Sequence, residues 1–242
     1  PDKKSSTNLG FINNESWPFK IVHHFIHQIG VCNARNLALK EVISDYVYLA
    51  DDDNKFDNDL INNALKKMLH FNLKVISMSY LQKGEVEKKQ QPLQWSTFGA
   101  GCSILKSEFL ESVSFNPALE FGYGEDVDFG MQLRNSGADI IYMPEFKILH
   151  LKAPVGGFRS NFKLAWINDK IQPKPSPTVM LNKMNNSTDH QIMGYKTLLV
   201  INYSFRQKIS NPFCYYKLFQ KQWQQSVFWP KPLNETPPRC CP

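Results

Sequence analysis

The chain has 242 residues, 42% of them hydrophobic and 21% charged, with a formal net charge of +6; this composition fits one large globular domain, or a domain with an extension. No apolar run approaches the ~20 residues of a membrane-spanning helix, and the opening P-D-K-K-S-S-T does not read as a secretory signal. A first residue of Pro suggests a fragment or a processed chain.

Charge is unevenly placed. Residues 161–242 carry 11 Lys/Arg against 3 Asp/Glu, while residues 1–160 are close to neutral, which suggests a catalytic front and a back that faces an anionic partner. The five cysteines show no metal-ligand spacing, an arrangement expected of reduced thiols in a cytoplasmic protein.

Residues 1–18 read as loop. Lys20 to Gln28 alternates enough for a strand whose His23, His24 and His27 invite a zinc reading, but the neighbouring His23 and His24 would point to opposite faces, which argues against a metal site there. After Gly30, the stretch N-A-R-N-L-A-L-K-E-V-I places Ala34, Leu37, Ala38 and Val42 on one helical face, with Asn33 as the expected N-cap. Arg35 and Asn36 then fall in the first turn, where backbone N–H groups and the helix dipole favour an anion.

The strand expected over Asp45 to Ala50 ends in three consecutive carboxylates, Asp51, Asp52 and Asp53, followed by Asn54. Like charges this close repel, so the run reads either as a solvated acidic turn or as ligands for a hard divalent cation holding phosphate oxygens. A calcium loop starting at Asp51 fails, because Phe56 stands where its Gly belongs and Asn62 where its Glu belongs. Leu60, Ile61, Ala64, Leu65, Met68 and Leu69 form the stripe of a helix, and Leu73 to Tyr80 is the next strand. The alternation of strand and helix predicts right-handed βαβ crossovers and an α/β sheet, with ligands beyond the carboxyl ends of the strands.

Residues 81–94 read as a charged loop, and the glycines of F-G-A-G-C-S mark backbone passing close to another group. In G-Y-G-E-D-V-D-F-G-M-Q-L-R-N-S-G, a flexible approach leads to Glu125, Asp126 and Asp128 in the first turn of a helix that Gly137 ends. Dipole compensation alone would explain the acids; a carboxylate held at a helix start also suits a general base. Pro144 is expected to divide two short strands, Asp139–Met143 and Phe146–Leu151. His150 at the end of the second could complete a metal shell that carboxylates began, and Pro-Val-Gly-Gly after it reads as a lid hinge.

These segments, taken as I-G-V-C-N-A-R-N-L-A-L, Y-V-Y-L-A-D-D-D-N, F-G-A-G-C-S-I-L, G-Y-G-E-D-V-D-F-G-M-Q-L-R-N-S-G-A and I-L-H-L-K, resemble glycosyltransferase family 2 in the family's order. The resemblance implies an α/β GT-A (nucleotide-diphospho-sugar transferase) fold, with a mostly parallel Rossmann-like sheet flanked by helices. It also implies a UDP- or GDP-sugar donor, Mg²⁺ or Mn²⁺, and inversion at the anomeric carbon. Asp126 would be the catalytic base. Asp53 and His150 would serve the metal, while Asp51, Asp52, Arg35, Asn36 and Glu125 would lie around the donor. Three adjacent Asp leave open which two form the D-x-D pair. The family's first βαβ unit is expected to be missing, with residues 1–160 as the catalytic domain. No Q-x-x-R-W follows Asp126, which favours single-sugar addition.

Residues 161–242 lie outside the resemblance. Pro173, Pro175 and Pro177 suggest a semi-rigid linker, N-K-M-N-N-S-T-D-H reads as loop, and helices are expected near Tyr195–Ile209 and Pro212–Phe228. The second of these, basic and aromatic, would either pack on the catalytic domain or lie on an anionic membrane surface. The resulting expectation is an inverting glycosyltransferase of bacterial cell-surface polysaccharide synthesis. It would act on a saccharide or lipid-linked acceptor, in the cytoplasm or peripherally at the inner face of the plasma membrane. The rival readings are a Mg²⁺-dependent phosphohydrolase and a basic nucleic-acid-binding protein. The first lacks a Lys or second Asp cluster at a strand end and the second any groove-reading motif, so no nucleic acid is expected.

Overall fold

The structure is a computed structural model and describes residues 10, 12, 16–26, 30–120, 122, 124–152, 163–206 and 211–235. Six strands form one sheet: β1 (Tyr46–Ala50), β2 (Asn54–Lys55), β3 (Val75–Gln82), β4 (Leu93–Gln94), β5 (Cys102–Lys106) and β6 (Ile140–His150). Their spatial order is β1-β5-β3-β6-β2, with β4 also on β6. Helix α1 (Val31–Leu39) precedes β1, α2 (Leu60–His70) joins β2 to β3, and α3 (Glu125–Asn135) leads into β6.

The alternation of side chains sorts the core onto two faces. Val75 and Leu105 pack with Cys32, Phe98, Phe115, Phe129 and Leu133 on the side of α1 and α3. Their neighbours Ile76 and Ile104 turn to the other face, where Leu60, Ala64 and Met68 bring the stripe of α2 onto the sheet. Helices therefore cover both faces.

The expected strand–helix–strand succession is present, and β1 and β3 run in the same direction. They are not neighbours, however, because β5 lies between them and is antiparallel to both. Among the described residues only β3 and β6 pair in parallel, and the sheet is mixed. Ile140–His150 form one strand where two are expected: β6 slips register between Met143 and Lys147 opposite Met78 and Ser79, which takes Pro144, with no N–H to give, out of the ladder.

Other expectations change at the front. Residues 20–26 are irregular instead of a strand, and His24 Nε2 lies 3.4 Å from Glu41 Oε1; His27 falls outside the described residues. Gly10 and Ile12 are helical where loop is expected. Helix α1 starts two residues before Asn33, and its N-cap is Gly30, which offers no side-chain cap. The 81–94 loop is tied down: Glu87 accepts hydrogen bonds from Ser79 Oγ (2.6 Å), Tyr142 and the Lys89 N–H (2.8 Å). Burial would raise its pKa, yet these donors hold the carboxyl at about 2. The Pro-Val-Gly-Gly segment expected as a hinge lies outside the described residues.

The back of the chain holds α4 (Pro177–Asn186), α5 (Asp189–Arg206), α6 (Pro212–Phe228) and α7 (Pro230–Glu235). The N-K-M-N-N stretch belongs to α4 rather than to a loop, with Pro177 in its first turn, where its missing N–H costs nothing. Asn211 caps α6 by accepting from the N–H groups of Phe213 and Cys214. Trp166, Leu181 and Leu233 bury against Ala118 and Leu119, and Met180, Phe219 and Trp223 form a second small core under α5. The proline-rich stretch is likewise anchored, since Ser226 Oγ donates to the Pro175 carbonyl at 2.7 Å. Residues 163–186 thus pack on the front domain instead of spacing it from the back.

Candidate active site

The site forms where β1 ends. Leu49 is the last buried residue of that strand, and the chain turns out of the sheet through Asp51, Asp52 and Asp53. Asn54 fixes the turn by donating from Nδ2 to the Gly101 carbonyl at 2.7 Å. A β-carbon on Gly101 would lie 2.3 Å from Asp51 Oδ2, so the close passage expected of the F-G-A-G-C-S glycines is the approach of this backbone to a carboxylate.

Two of the three carboxylates share a partner. The Tyr80 hydroxyl lies 3.4 Å from Asp51 Oδ2 and 3.5 Å from Asp53 Oδ1. His150 Nε2 lies 3.1 Å from Asp53 Oδ2, and the imidazole stacks on the Tyr80 ring at 4.5 Å and 15°. Burial and the two carboxylates push the Tyr80 phenol well above its ordinary range, so it stays a neutral donor. Asp52 is exposed. The geometry therefore brings Asp51, Asp53 and His150 together.

Arg35 connects this edge to the start of α3. Its Nη2 lies 3.4 Å from Asp51 Oδ1 and its Nη1 lies 3.3 Å from Asp126 Oδ1 and 4.0 Å from Glu125 Oε1. The guanidinium also sits 5.2 Å from the centre of the Phe115 ring. Asp126 Oδ2 accepts the Ala100 N–H at 3.3 Å. Its side chain is partly buried, 32% exposed. That burial raises its pKa to about 6; Arg35 and the Ala100 N–H pull down, Glu125 and Asp51 push up. A carboxyl poised there can accept a proton near neutrality.

Two expected site features behave differently. Asn36 clamps the main chain of Phe115, donating to its carbonyl at 2.7 Å and accepting its N–H at 2.8 Å, so its amide holds α1 in place. The N-terminus of α1, expected to receive a donor anion, is filled by the protein: Glu120 accepts the N–H groups of Cys32 and Asn33, both at 3.1 Å.

Tyr80 and Glu120 escape the sequence reading. The only local signals are a phenol at the end of the apolar run V-I-S-M-S-Y and a carboxylate inside the apolar run P-A-L-E-F.

Among the described residues, no group of three or more His, Cys, Asp or Glu closes on one metal position. The donor chemistry nonetheless fits Mg²⁺ or Mn²⁺: two carboxylates and an imidazole face one tyrosine, and beside them Asn54 Oδ1 is buried without a hydrogen-bond partner.

Residues 6–124, just under half of the chain, match the family model described as Glycosyl transferase family 2. Among solved structures, S. aureus TarS 1-349 in complex with UDP-GlcNAc aligns with a TM-score of 0.56 at 15% identity, covering 93% of this chain and 68% of that one. S. aureus TarS 1-349 aligns at 0.48 and 11% identity, covering 88% and 79%. A further S. aureus TarS structure gives 0.41 at 15% identity over 50% of this chain, and this chain spans only 24% of its length. No curated protein matches in sequence. The fold is that of the GT-A glycosyltransferases. Over its matched segment, the chain is similar to glycosyltransferase family 2.

Proposed function

We propose that this chain transfers a sugar, with inversion, from a nucleoside-diphosphate donor to an acceptor hydroxyl, and that Asp126 is the general base. The observation that carries this reading is the Asp126 carboxyl, held between Arg35 and the Ala100 N–H with a pKa of about 6, at the same edge as Asp51 and Asp53. The acceptor oxygen attacks the anomeric carbon as the bond to the diphosphate breaks. Asp126 takes the hydroxyl proton and the nucleoside diphosphate leaves as an anion. A diphosphate leaving group needs no protonation, so one base suffices where glycoside hydrolysis uses two carboxylates.

Asp53 and His150, with Asp51, would hold a divalent cation, which supplies charge neutralisation to the departing diphosphate. Arg35 pairs with Asp51 and Asp126 and keeps two carboxylates apart in a fixed geometry. Asp52, exposed on the same turn, and Glu125 are placed to meet the ribose or the sugar hydroxyls.

UDP-sugars are the first donors to test, because a structure of similar fold was solved with UDP-GlcNAc; GDP-sugars follow. For the acceptor, the basic back third supports a saccharide or lipid-linked substrate of bacterial cell-surface polysaccharide synthesis, met at the inner face of the membrane. No helix among the described residues is long and apolar enough to cross a membrane, so contact there would be peripheral, through residues 161–242.

The test combines turnover with binding. UDP or GDP with Mn²⁺ raises the melting temperature, and Asp126→Asn keeps that shift while kcat falls about 10²–10⁴-fold. A melting curve that neither nucleotide moves sinks the donor assignment. Loss of the nucleotide shift in Asp126→Asn would make its role structural.

A further inference from the structure

We propose that Glu120 is a positioning residue for the transfer, holding α1 by its N-terminus so that Arg35 stays between Asp51 and Asp126. Glu120 is 2% exposed, and each of its carboxylate oxygens takes one backbone N–H of the first turn of α1, from Cys32 and Asn33. These N–H groups have no partner inside the helix, and Gly30 supplies no side-chain cap. The fit is tight. Gly30 stands at φ 141°, and a β-carbon there would lie 2.4 Å from Glu120 Cδ, so only glycine lets the backbone come against this carboxylate.

A helix start can be capped cheaply by a Ser or Asp at the N-cap itself. Here the cap comes from 88 residues away and is a charge taken out of water, which is costly unless fully bonded. Burial raises the pKa of Glu120 even against the backbone N–H groups that lower it. What the remote carboxylate adds over a local cap is a tether between α1 and the segment that leads into α3.

A second tether runs in parallel, since Asn36 binds the main chain of Phe115 at both ends of its amide. Between these two points, Arg35 extends to carboxylates on two different elements, Asp51 after β1 and Asp126 on α3. Both of those distances are 3.3–3.4 Å, so a small slide of α1 along its axis breaks one or both. Glu120 fixes that slide.

The kinetic arm of the test rests on the transferase reading; the spectroscopic arm does not. The chain has five arginines, at 35, 134, 159, 206 and 239, so ¹⁵N-arginine labelling gives a sparse spectrum in which Arg35→Lys assigns the Arg35 Nε–H signal. In Glu120→Gln that signal moves to the solvent-exposed position and exchanges rapidly, while the Arg134 signal stays. The kcat value falls on the order of 10- to 100-fold with the donor KM little changed, and Arg35→Lys adds almost nothing on top. Glu120→Asp, with the carboxylate drawn back by one methylene, gives an intermediate loss and serves if Glu120→Gln does not fold. An Arg35 signal unmoved in the glutamine or aspartate variant overturns the proposal, whatever the rates do. So does full multiplicativity of the Glu120 and Arg35 losses. Absence of turnover in the wild type with every donor would refute the transferase reading and leave the spectroscopic result standing.

Discussion

The polar edge at Asp51–Asp53 and the α5–α6 helical pair solve opposite problems. At the polar edge, charged groups that repel one another are kept at fixed separations by backbone with no slack: Gly101 runs against Asp51, Gly30 runs against Glu120, and Arg35 spans two carboxylates. In α5 and α6 one stripe is buried through Phe219 and Trp223, while the opposite faces leave Phe205 85% and Phe213 79% exposed. Large contiguous apolar exposure is a feature of contact surfaces. A preorganised polar site needs every neighbour in place before the substrate arrives, whereas a contact surface needs only a stable helix behind it.

The largest effect separates the two regions by their cores. Phe129 is fully buried, stacked on Phe115 at 4.2 Å and 10° and set 5.0 Å from Phe98. Phe129→Ala should cost about 3–5 kcal/mol and, because Phe129 is on α3 behind Asp126, should abolish the nucleotide-dependent thermal shift. Phe219→Ala empties a comparable volume in the back core, with a similar loss by denaturant titration, but should leave that shift in place. Equal loss of nucleotide binding in both variants would show that the two regions fold as one unit and would break the contrast.

A smaller effect concerns Asp126 alone. Its folded pKa of about 6 lies above the ordinary value of 3.8, so ionising it opposes folding. The cost is absent below about pH 4, grows between pH 4 and 6, and is complete above pH 6. Asp126→Asn should therefore be more stable than the wild type at pH 7.5 by roughly 1–3 kcal/mol, after allowing for partial exposure, and lose that advantage at pH 4. Chemical denaturation at the two pH values measures it. An asparagine variant less stable at pH 7.5 would mean that the ion pair with Arg35 outweighs burial.

Legibility in the sequence follows the range of the interaction. The acidic strand end, the acidic first turn of α3 and the close-approach glycines are local patterns, and the structure has each of them. The bounds of α6 were readable too, because Asn211-Pro212 is a local start signal. Strand order is not local: nothing near Cys102–Lys106 says that β5 will enter between β1 and β3. Glu120 is a long-range cap, and its residue type inside P-A-L-E-F gives no hint of partners at positions 32 and 33. Asn36 reads as a first-turn residue beside a ligand, yet its amide serves Phe115, because a helix position leaves the choice between ligand and clamp undecided. Proline spacing misled in the same way: Pro177 opens a helix instead of continuing a linker.

The smallest effect on the protein bears on what the exposed helices meet. Along α5 the residues Met193, Leu198, Ile201 and Phe205 are apolar and exposed, and on α6 Phe213 and Phe228 flank the exposed Lys217 and Lys221. Replacing Phe205 and Phe213 by Ser removes no buried contact, so stability should change by only about 0.5 kcal/mol or less. Turnover with a soluble saccharide acceptor should be unaltered. Flotation with vesicles containing anionic lipid should fall sharply, and Lys217→Glu with Lys221→Glu should make the residual binding insensitive to salt, because each basic residue near such a surface contributes about 1 kcal/mol. If wild type and variants float alike, or none floats, the apolar faces do not serve a membrane. The asymmetry between the two regions would then reflect protein–protein contact, since a face this apolar gains little from water.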